Sequence, residues 1–340
     1  MTAPAAAEWD GITFVCPKCR GALNGRTEAY SCASCAVVYP IVWGIADFRT
    51  APDPWISLED DREKGIRLER ETVGQSFEAM VRAYWTMTPG TPTAFAERFT
   101  DHVRSAEVRA REWLDLTARS TSPGATIGPW LDLGCGTAEL AVAAGSGVRV
   151  VGVDVAFRWL VVARRRLVER GIAPLLVCCN AEALPFPSVT FARALSLGML
   201  EHCRSADLVL DEGRRVLVPG AALHLRTLNR FTLLREPHVG VWGVGWMPRR
   251  WADRYVRWRN GERYLHHWPK GSNEIRRAMR RAGFGSVHVA AAPMLAADTG
   301  RLPGALRRAL PLYERLRALP GAGAVIGAVA PLLEVSGRAR

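Results

Sequence analysis

From residue 128 onward, short apolar runs alternate with segments whose apolar residues recur every three or four positions. Short continuous runs are typical of buried strands, and the wider spacing is typical of amphipathic helices. The pattern predicts strands at 129–134, 148–154, 174–180, 190–197, 220–228, 285–291 and 332–338. Helices are predicted between them at 137–145, 156–171 and 206–217. This alternation predicts an α/β fold with a doubly wound, mostly parallel, seven-stranded sheet.

Between the Cys-rich N-terminal segment and residue 128, the sequence predicts a linker and helices. A Pro-punctuated linker at 49–55 is followed by apolar residues at helical spacing from about 57 to 118. We therefore expect a linker and helical segment over 49–127 and the α/β domain over 128–340. Within that domain we expect a long insert at 229–270 and a helical insert at 293–330.

Composition narrows the class of protein. The chain has 340 residues, of which 49% are hydrophobic, and this excludes wholesale disorder. No apolar stretch reaches the ~18–20 residues that would span a bilayer, and the N-terminus lacks signal-peptide features. We therefore expect a cytoplasmic protein. The net charge of +12 favours an anionic partner, such as RNA or the inner membrane surface, but also fits solubility alone.

Four cysteines form two C-x-x-C hooks separated by twelve residues. Each hook can turn two thiolates onto one ion, and four thiolates favour tetrahedral Zn²⁺. Two disulfides are the alternative, which a cytoplasmic location disfavours. The expected zinc ligands are Cys16, Cys19, Cys32 and Cys35. The remaining cysteines, Cys135, Cys178, Cys179 and Cys203, are interpreted as small core residues.

The run FVCPKCRGAL…YSCASCAVVYPIVWGIADF, at residues 14–48, resembles the zinc-ribbon activator subunits of tRNA, rRNA and release-factor methyltransferases. The similarity covers both hooks and the tail from Tyr39 to Phe48, about a tenth of the chain. It implies a small zinc ribbon over 12–48 with a structural metal. Its cysteines therefore have a folding role rather than a catalytic one.

The run LDLGCGTAEL joins the first predicted strand of the sheet to its helix. Gly134 and Gly136 allow a sharp turn and a close approach to a ligand. A dinucleotide fingerprint would need glycine where the chain has Glu139, and the P-loop lysine is absent. Asp154 ends the next strand, where a carboxylate can accept hydrogen bonds from both hydroxyls of a ribose.

Two further segments complete a pattern: CNAEALPF follows the third strand and LGMLEH follows the fourth. In this order the four segments, over about 128–228, resemble class I S-adenosylmethionine-dependent methyltransferases. The resemblance implies that S-adenosylmethionine is the cofactor, with its methionine end at the glycine loop, its ribose at Asp154 and its adenine beside Asn180. The expected cofactor-binding residues are Asp132, Leu133, Gly134, Cys135, Gly136, Asp154, Val155, Asn180, Ala181, Glu182 and Leu197.

The sequence departs from that family pattern at three positions. Ala138 replaces a frequent third glycine, and Ala192 replaces a common aspartate at the start of the fourth strand. Asn180 replaces an aspartate that accepts from the adenine amino group, so its oxygen accepts without charge.

Histidines supply the candidate catalytic residues. Methyl transfer from a sulfonium mainly requires alignment and exclusion of water, and a base matters only for an acceptor that must lose a proton. His202, after the fourth strand, is the candidate base, although the L-E-H unit also fits a structural helix start. We expect 229–270 to form a substrate lid with His238 near the acceptor. Alternatively, the lid aromatics merely pack on the sheet.

Three functions remain open from the sequence. The first is methylation of a small molecule or of a cell-envelope, lipid-linked saccharide intermediate. The second is methylation of rRNA or tRNA, which the charge permits. The third is a non-catalytic cofactor-binding scaffold that acts through its ribbon. No obligate protein partner is evident from the sequence.

Overall fold

The structure is a computed structural model that describes residues 11–88, 90–119, 127–300, 302 and 304–340. The chain divides into two compact units, and each is described by itself. The first unit comprises Met1–Ala194 and Arg215–Val218, and the second comprises Leu195–Arg214 and Pro219–Arg340. These units divide the chain differently from the domain limits expected from the sequence, because the first unit joins the Cys-rich segment to the first strands of the sheet.

The Cys-rich segment forms four short strands in antiparallel succession. They are β1 (Asn24–Gly25), β2 (Ala29–Cys32), β3 (Val37–Val42) and β4 (Ile45–Asp47). Each pairs with the next one along the chain. All three residues of β4 are buried, as expected of a strand with neighbours on both sides.

Three helices follow, where the sequence predicted one helical segment: α1 (Leu58–Glu71), α2 (Phe77–Thr86) and α3 (Thr93–Arg119). Ser57 and Ser76 begin the first two, and each side-chain oxygen accepts a backbone N–H of the first turn. Gly74, with φ +72°, lies in the break between them. α1 packs on the helix α5 (Phe157–Glu169).

The sheet of the first unit continues with β5 (Trp130–Leu133), β6 (Val150–Asp154) and β7 (Leu176–Cys178), and α4 (Glu139–Ala144) follows β5. β5 pairs with β6 and β6 with β7, both in parallel. β4 pairs in parallel with β7, so the strand order is β1-β2-β3-β4-β7-β6-β5. The Cys-rich segment therefore extends the same sheet.

Aromatic side chains pack between the Cys-rich segment and the rest of the first unit. The Phe14 ring lies 5.7 Å from that of Phe186 and 5.0 Å from that of Phe48, centroid to centroid. The Val15 N–H donates to the Pro185 carbonyl at 2.9 Å. Phe48 and Phe186 are fully buried, so separating the segment would expose apolar surface.

The expected linker at 49–55 is anchored by buried ion pairs. Arg49 donates to Asp47 at 2.6 Å and to Asp61 at 2.5 Å. Arg158 donates to Asp61 at 2.6 Å and to Asp53 at 2.9 Å. Because each charge faces an opposite charge, the burial of these groups is compensated.

The strand β8 (Phe191–Leu197), the helix α6 (Ala206–Val216) and the strand β9 (Leu217–Leu228) each contribute residues to both units. The second unit then contains β10 (Phe284–Ala291) and β11 (Leu332–Ala339). β11 lies between β9 and β10 and is antiparallel to both. Together, β5 to β11 correspond to the seven predicted strands, which confirms the expected fold class.

The remaining helices belong to the second unit. They are α7 (Arg249–Asn260), α8 (Ser272–Arg281), α9 (Ala296–Thr299), α10 (Gly304–Ala318) and α11 (Pro320–Val329). The last three occupy the expected helical insert. Among the helices described, none has the length and hydrophobicity required to cross a bilayer.

Candidate functional site

The loop after β5 is fastened to the neighbouring strand by its backbone. The N–H groups of Gly134 and Cys135 both donate to the Val153 carbonyl, at 2.8 and 2.9 Å. Gly134 and Gly136 have φ of +72° and +49°, a region that favours glycine. A Cβ on Gly136 would meet nothing within 4 Å, so its backbone faces open space that a ligand can enter.

Asp154 lies at the end of β6, with its carboxylate oriented by two backbone amides. One oxygen accepts from the Gly136 N–H and the other from the Ala156 N–H, both at 2.9 Å. Burial raises the pKa of Asp154, and these two hydrogen bonds oppose the rise. The carboxylate is thus held between the glycine loop and the start of α5.

Asp132 is the unusual group of this site. It is 1% exposed, and neither carboxylate oxygen has a hydrogen-bond partner among the described residues. Burial raises its pKa well above the usual range, and the nearby charges of Glu139 and Asp154 add to the effect. A buried carboxyl without partners is costly unless a ligand supplies a donor or a positive charge. The ammonium group of S-adenosylmethionine would supply both, so the residues present fit this cofactor.

Asn180, just after β7, is hydrogen-bonded to the segment 49–55, which the sequence had predicted to be a linker. Its side-chain oxygen accepts from the N–H groups of Thr50 and Ala51 at 2.9 and 3.1 Å, and its amide donates to the Ala51 carbonyl at 3.1 Å. The replacement of aspartate by asparagine therefore provides the donor for that last bond. The role of Asn180 beside an adenine stays a prediction.

The remaining expected cofactor residues fall at the same strand ends or beyond them. Leu133 and Cys135 are buried beside the loop, whereas Ala181 and Glu182 are partly exposed in the turn after Asn180. The Val155 carbonyl accepts from Arg49 at 3.1 Å. Because β5, β6 and β7 are parallel, their carboxyl ends meet at one edge of the sheet. The expected cofactor residues of the first unit lie at this edge: Asp132, Leu133, Gly134, Cys135, Gly136, Asp154, Val155, Asn180, Ala181 and Glu182. Leu197, at the end of β8, belongs to the second unit.

The four hook cysteines are brought together. Sγ of Cys16 lies 3.9 Å from that of Cys35, and Sγ of Cys19 lies 3.6 Å from that of Cys32. Tetrahedral Zn²⁺ with Zn–S near 2.3 Å requires sulfur pairs about 3.8 Å apart. All four sulfur atoms lie within 4.8 Å of one another, so the set fits one zinc ion.

The second unit brings three histidines together. One ring nitrogen from each of His202, His238 and His267 lies within 4.8 Å of the other two. The rings of His238 and His267 are 4.0 Å apart, and that of His202 is 5.0 and 5.2 Å from them, centroid to centroid. The sequence proposed His202 and His238 as catalytic residues, and the structure adds His267 as their neighbour.

A buried carboxylate and a backbone carbonyl orient two of these rings. Nδ1 of His238 lies 2.6 Å from Oε1 of Glu236, whose other oxygen accepts the N–H groups of His238 and Val239. Burial raises the pKa of Glu236, but these bonds outweigh it and leave the pKa below its usual range. Nδ1 of His267 lies 2.6 Å from the Leu265 carbonyl. Burial, with the charges of His238 and His202, lowers the pKa of His267 to about 4.

Sequence reasoning missed Glu236 and gave His267 no role beyond membership of the insert. The E-x-H pattern of Glu236 and His238 was the available signal, because a carboxylate two residues before a histidine in a tight turn can hold its ring. No local pattern links His267 to His202, which lies 65 positions earlier.

Comparisons with known proteins agree with the first-unit site. Residues 131–225 match the family described as "Methyltransferase domain". A ubiquinone/menaquinone biosynthesis C-methyltransferase of Bordetella avium is 38% identical over 152 residues, which are 43% of this chain and 57% of that protein. A ubiquinone biosynthesis O-methyltransferase of Parvibaculum lavamentivorans is 29% identical over 141 residues, 39% of this chain and 54% of that protein.

The chain thus spans little more than half the length of these relatives. A solved structure of Haemonchus contortus phosphoethanolamine N-methyltransferase 2 with S-adenosylmethionine aligns with 69% of this chain and 57% of that chain. Its identity is 18% and its TM-score 0.45. The family match covers the glycine loop, Asp132 and Asp154, so the part of this chain that is similar to methyltransferase domains is the part that forms the first-unit site.

Proposed function

We propose that this protein transfers a methyl group from S-adenosylmethionine to a small-molecule acceptor. The observation that carries the proposal is the buried carboxyl of Asp132 beside the glycine loop, for which the described part of the chain supplies no hydrogen-bond partner. A folded protein retains such a costly group where a ligand completes it.

The residues of the first unit divide the binding of the cofactor among them. Asp132 would accept from the ammonium group, and Asp154 would accept from the ribose hydroxyls. Asn180, Ala181 and Glu182 would flank the adenine. The cofactor supplies a methyl group already activated by its positive sulfur, so these residues only need to hold it in position and exclude water.

The insert at 229–270 supports a cyclic acceptor. Trp242, Trp246, Trp251 and Trp258 each expose more than half of their surface there. Exposed indoles can stack on flat rings or on sugars. The named relatives act in ubiquinone biosynthesis, so a quinone precursor is the first acceptor to test, followed by lipid-linked saccharides.

Two accessory roles belong to this proposal. Zn²⁺ at Cys16, Cys19, Cys32 and Cys35 would stabilise the ribbon fold without taking part in chemistry. If the acceptor must lose a proton, His202 and His238 are the candidate bases, and Glu236 would hold the latter in one tautomer.

The test combines cofactor binding with methyl transfer. By calorimetry, Asp132→Asn and Asp154→Asn should each weaken S-adenosylmethionine binding at least tenfold, whereas Asp60→Asn, on the exposed start of α1, should not. Equal affinity in all three variants would contradict the assigned cofactor site.

The acceptor is identified with cofactor carrying a labelled methyl group, incubated with separated cell-extract fractions. Label in the small-molecule or lipid fraction supports the proposal. Label in RNA, with binding that weakens steeply as salt rises, would instead make nucleic acid the substrate. Cofactor binding without label in any fraction would favour a scaffold. A liposome flotation assay tests contact with an anionic membrane surface separately.

A further inference from the structure

We propose that His202, His238 and His267 form a binding site for one divalent transition-metal ion, with Zn²⁺ as the first candidate. One ring nitrogen from each already lies within 4.8 Å of the other two. At Zn–N distances of 2.0–2.1 Å, tetrahedral ligands lie about 3.3 Å apart. The exposed rings of His202 and His238 need only a small rotation to close this gap.

Hydrogen bonds at Nδ1 put the lone pairs of two neutral rings on Nε2. Nδ1–H of His238 donates to the buried carboxylate of Glu236, so the neutral ring carries its lone pair on Nε2. Nδ1–H of His267 donates to the Leu265 carbonyl, with the same consequence. A carboxylate or carbonyl behind a histidine is the arrangement that orients metal ligands and raises their basicity.

The surrounding chain fixes the spacing of the three ligands. The Trp268 N–H donates to the Glu201 carbonyl at 2.6 Å, which ties the residue after His267 to the residue before His202. The buried Glu201 carboxylate accepts from Thr227 on β9 at 2.7 Å. The Tyr264 ring stacks on His267 with an interplanar angle of 14°. Glu201, Tyr264 and, on the His238 segment, Glu236 thus hold three ligands that come from separate segments.

Three imidazoles without a carboxylate or thiolate suit Zn²⁺ over Mg²⁺ or Ca²⁺. Because three protein ligands leave a fourth position, the ion would bind water or an anionic oxygen, such as a phenolate or a phosphate, there. A bound metal takes the lone pairs that a general base needs. His202 and His238 would then act as metal ligands rather than as bases, and the ion would polarise the oxygen bound to it.

The test counts metal ions on the full chain, prepared without a histidine tag. After loading with zinc and dialysis against a weak chelator, mass spectrometry should find two ions per chain. His238→Ala and His267→Ala should each retain only one. Their second-site affinity should fall at least 100-fold, and Glu236→Gln should lower it 10- to 100-fold. The control His288→Ala, on the exposed face of β10, should keep both ions.

Cobalt substitution separates the two sites, because thiolate-to-metal charge-transfer absorption belongs only to the cysteine site. The histidine variants should leave this absorption unchanged while they lose the second ion. One ion in the native chain, or a second ion that survives both histidine variants, would overturn the inference and leave the base role in place. No cofactor or acceptor enters the measurement, so failure of the proposed methyl transfer would not affect it.

Discussion

Asp61 offers the sharpest stability prediction, because two guanidinium groups and one backbone N–H donate to its buried carboxylate. Its oxygens accept from Arg49 at 2.5 Å, from the Arg158 guanidinium at 2.6 Å and from the Phe157 N–H at 2.7 Å. Both residues of the Asp61–Arg49 pair are fully buried. Asp61→Asn keeps the shape but turns an amide NH₂ group toward these donors. It also removes the negative charge that Arg49 and Arg158 share.

Removing one partner of a buried ion pair costs about 3–5 kcal/mol. For a folding unit of roughly 200 residues, each kcal/mol lowers Tm by ~2–4 °C. We therefore expect Asp61→Asn to lower the Tm of the first unit by ~6–20 °C. Since Asp61 also accepts the N–H of Phe157 at the start of α5, the loss should appear in the helix signal.

The assay is urea and thermal unfolding followed by circular dichroism. The matched control is Glu71→Ala on the same helix, which removes an exposed ion pair with Arg67 and should cost at most about 0.5 kcal/mol. A change for Asp61→Asn no larger than that of Glu71→Ala would refute the claim that this cluster stabilises the first unit.

Three further predictions concern the same unit. Gly152→Ala should lower the free energy of unfolding by ~1–3 kcal/mol and weaken cofactor binding, since the added Cβ would lie 2.8 Å from the Cys135 sulfur. In urea unfolding, the control Gly147→Ala should cost less, because its Cβ would meet nothing within 4 Å. Zinc removal by a strong chelator should lower the Tm, and an unchanged Tm would contradict a structural ion. Burial raises the pKa of Asp47, but Arg49 and Arg62 outweigh this effect and hold the pKa low. The ionised Asp47 therefore stabilises the folded state above pH ~4, and this contribution is lost as the pH falls below that value. Asp47→Asn should therefore flatten the fall in unfolding free energy between pH 5 and pH 3.

The sheet was predictable from the sequence because its strands are local patterns. Within them, the runs 150–153 and 175–179 contain no polar side chain, which is typical of a strand covered on both faces. The hooks at Cys16 and Cys32 are also local, and their spacing indicated a metal site, whereas the loop at Gly134 was assigned through the resemblance of four segments to a known family. Parts of the site that occupy one continuous segment can thus be singled out from the sequence, and the roles given to their residues stay predictions.

What the sequence missed depends on contacts between distant positions. Asp61 and Arg158 are 97 residues apart, and nothing near either one identifies its partner. The segment after Phe48 resembled a linker because of its prolines, yet Arg49 is buried. His267 lacked any local signal for the same reason. Long-range electrostatic pairing is set by the three-dimensional fold and leaves no periodic trace.

In the first unit, direct contacts link the expected zinc ribbon to the expected cofactor site. The chain that leaves the ribbon passes the end of β7, where the Phe48 N–H donates to the Cys178 carbonyl at 2.7 Å. It then contacts the Val155 carbonyl through Arg49 and the Asn180 amide through its backbone. Those two residues are expected to lie against the ribose and the adenine. A ribbon that loses its shape would release both positions together, so we expect cofactor affinity to fall when zinc is removed, even though the four hook cysteines are about a hundred residues away from the glycine loop in sequence.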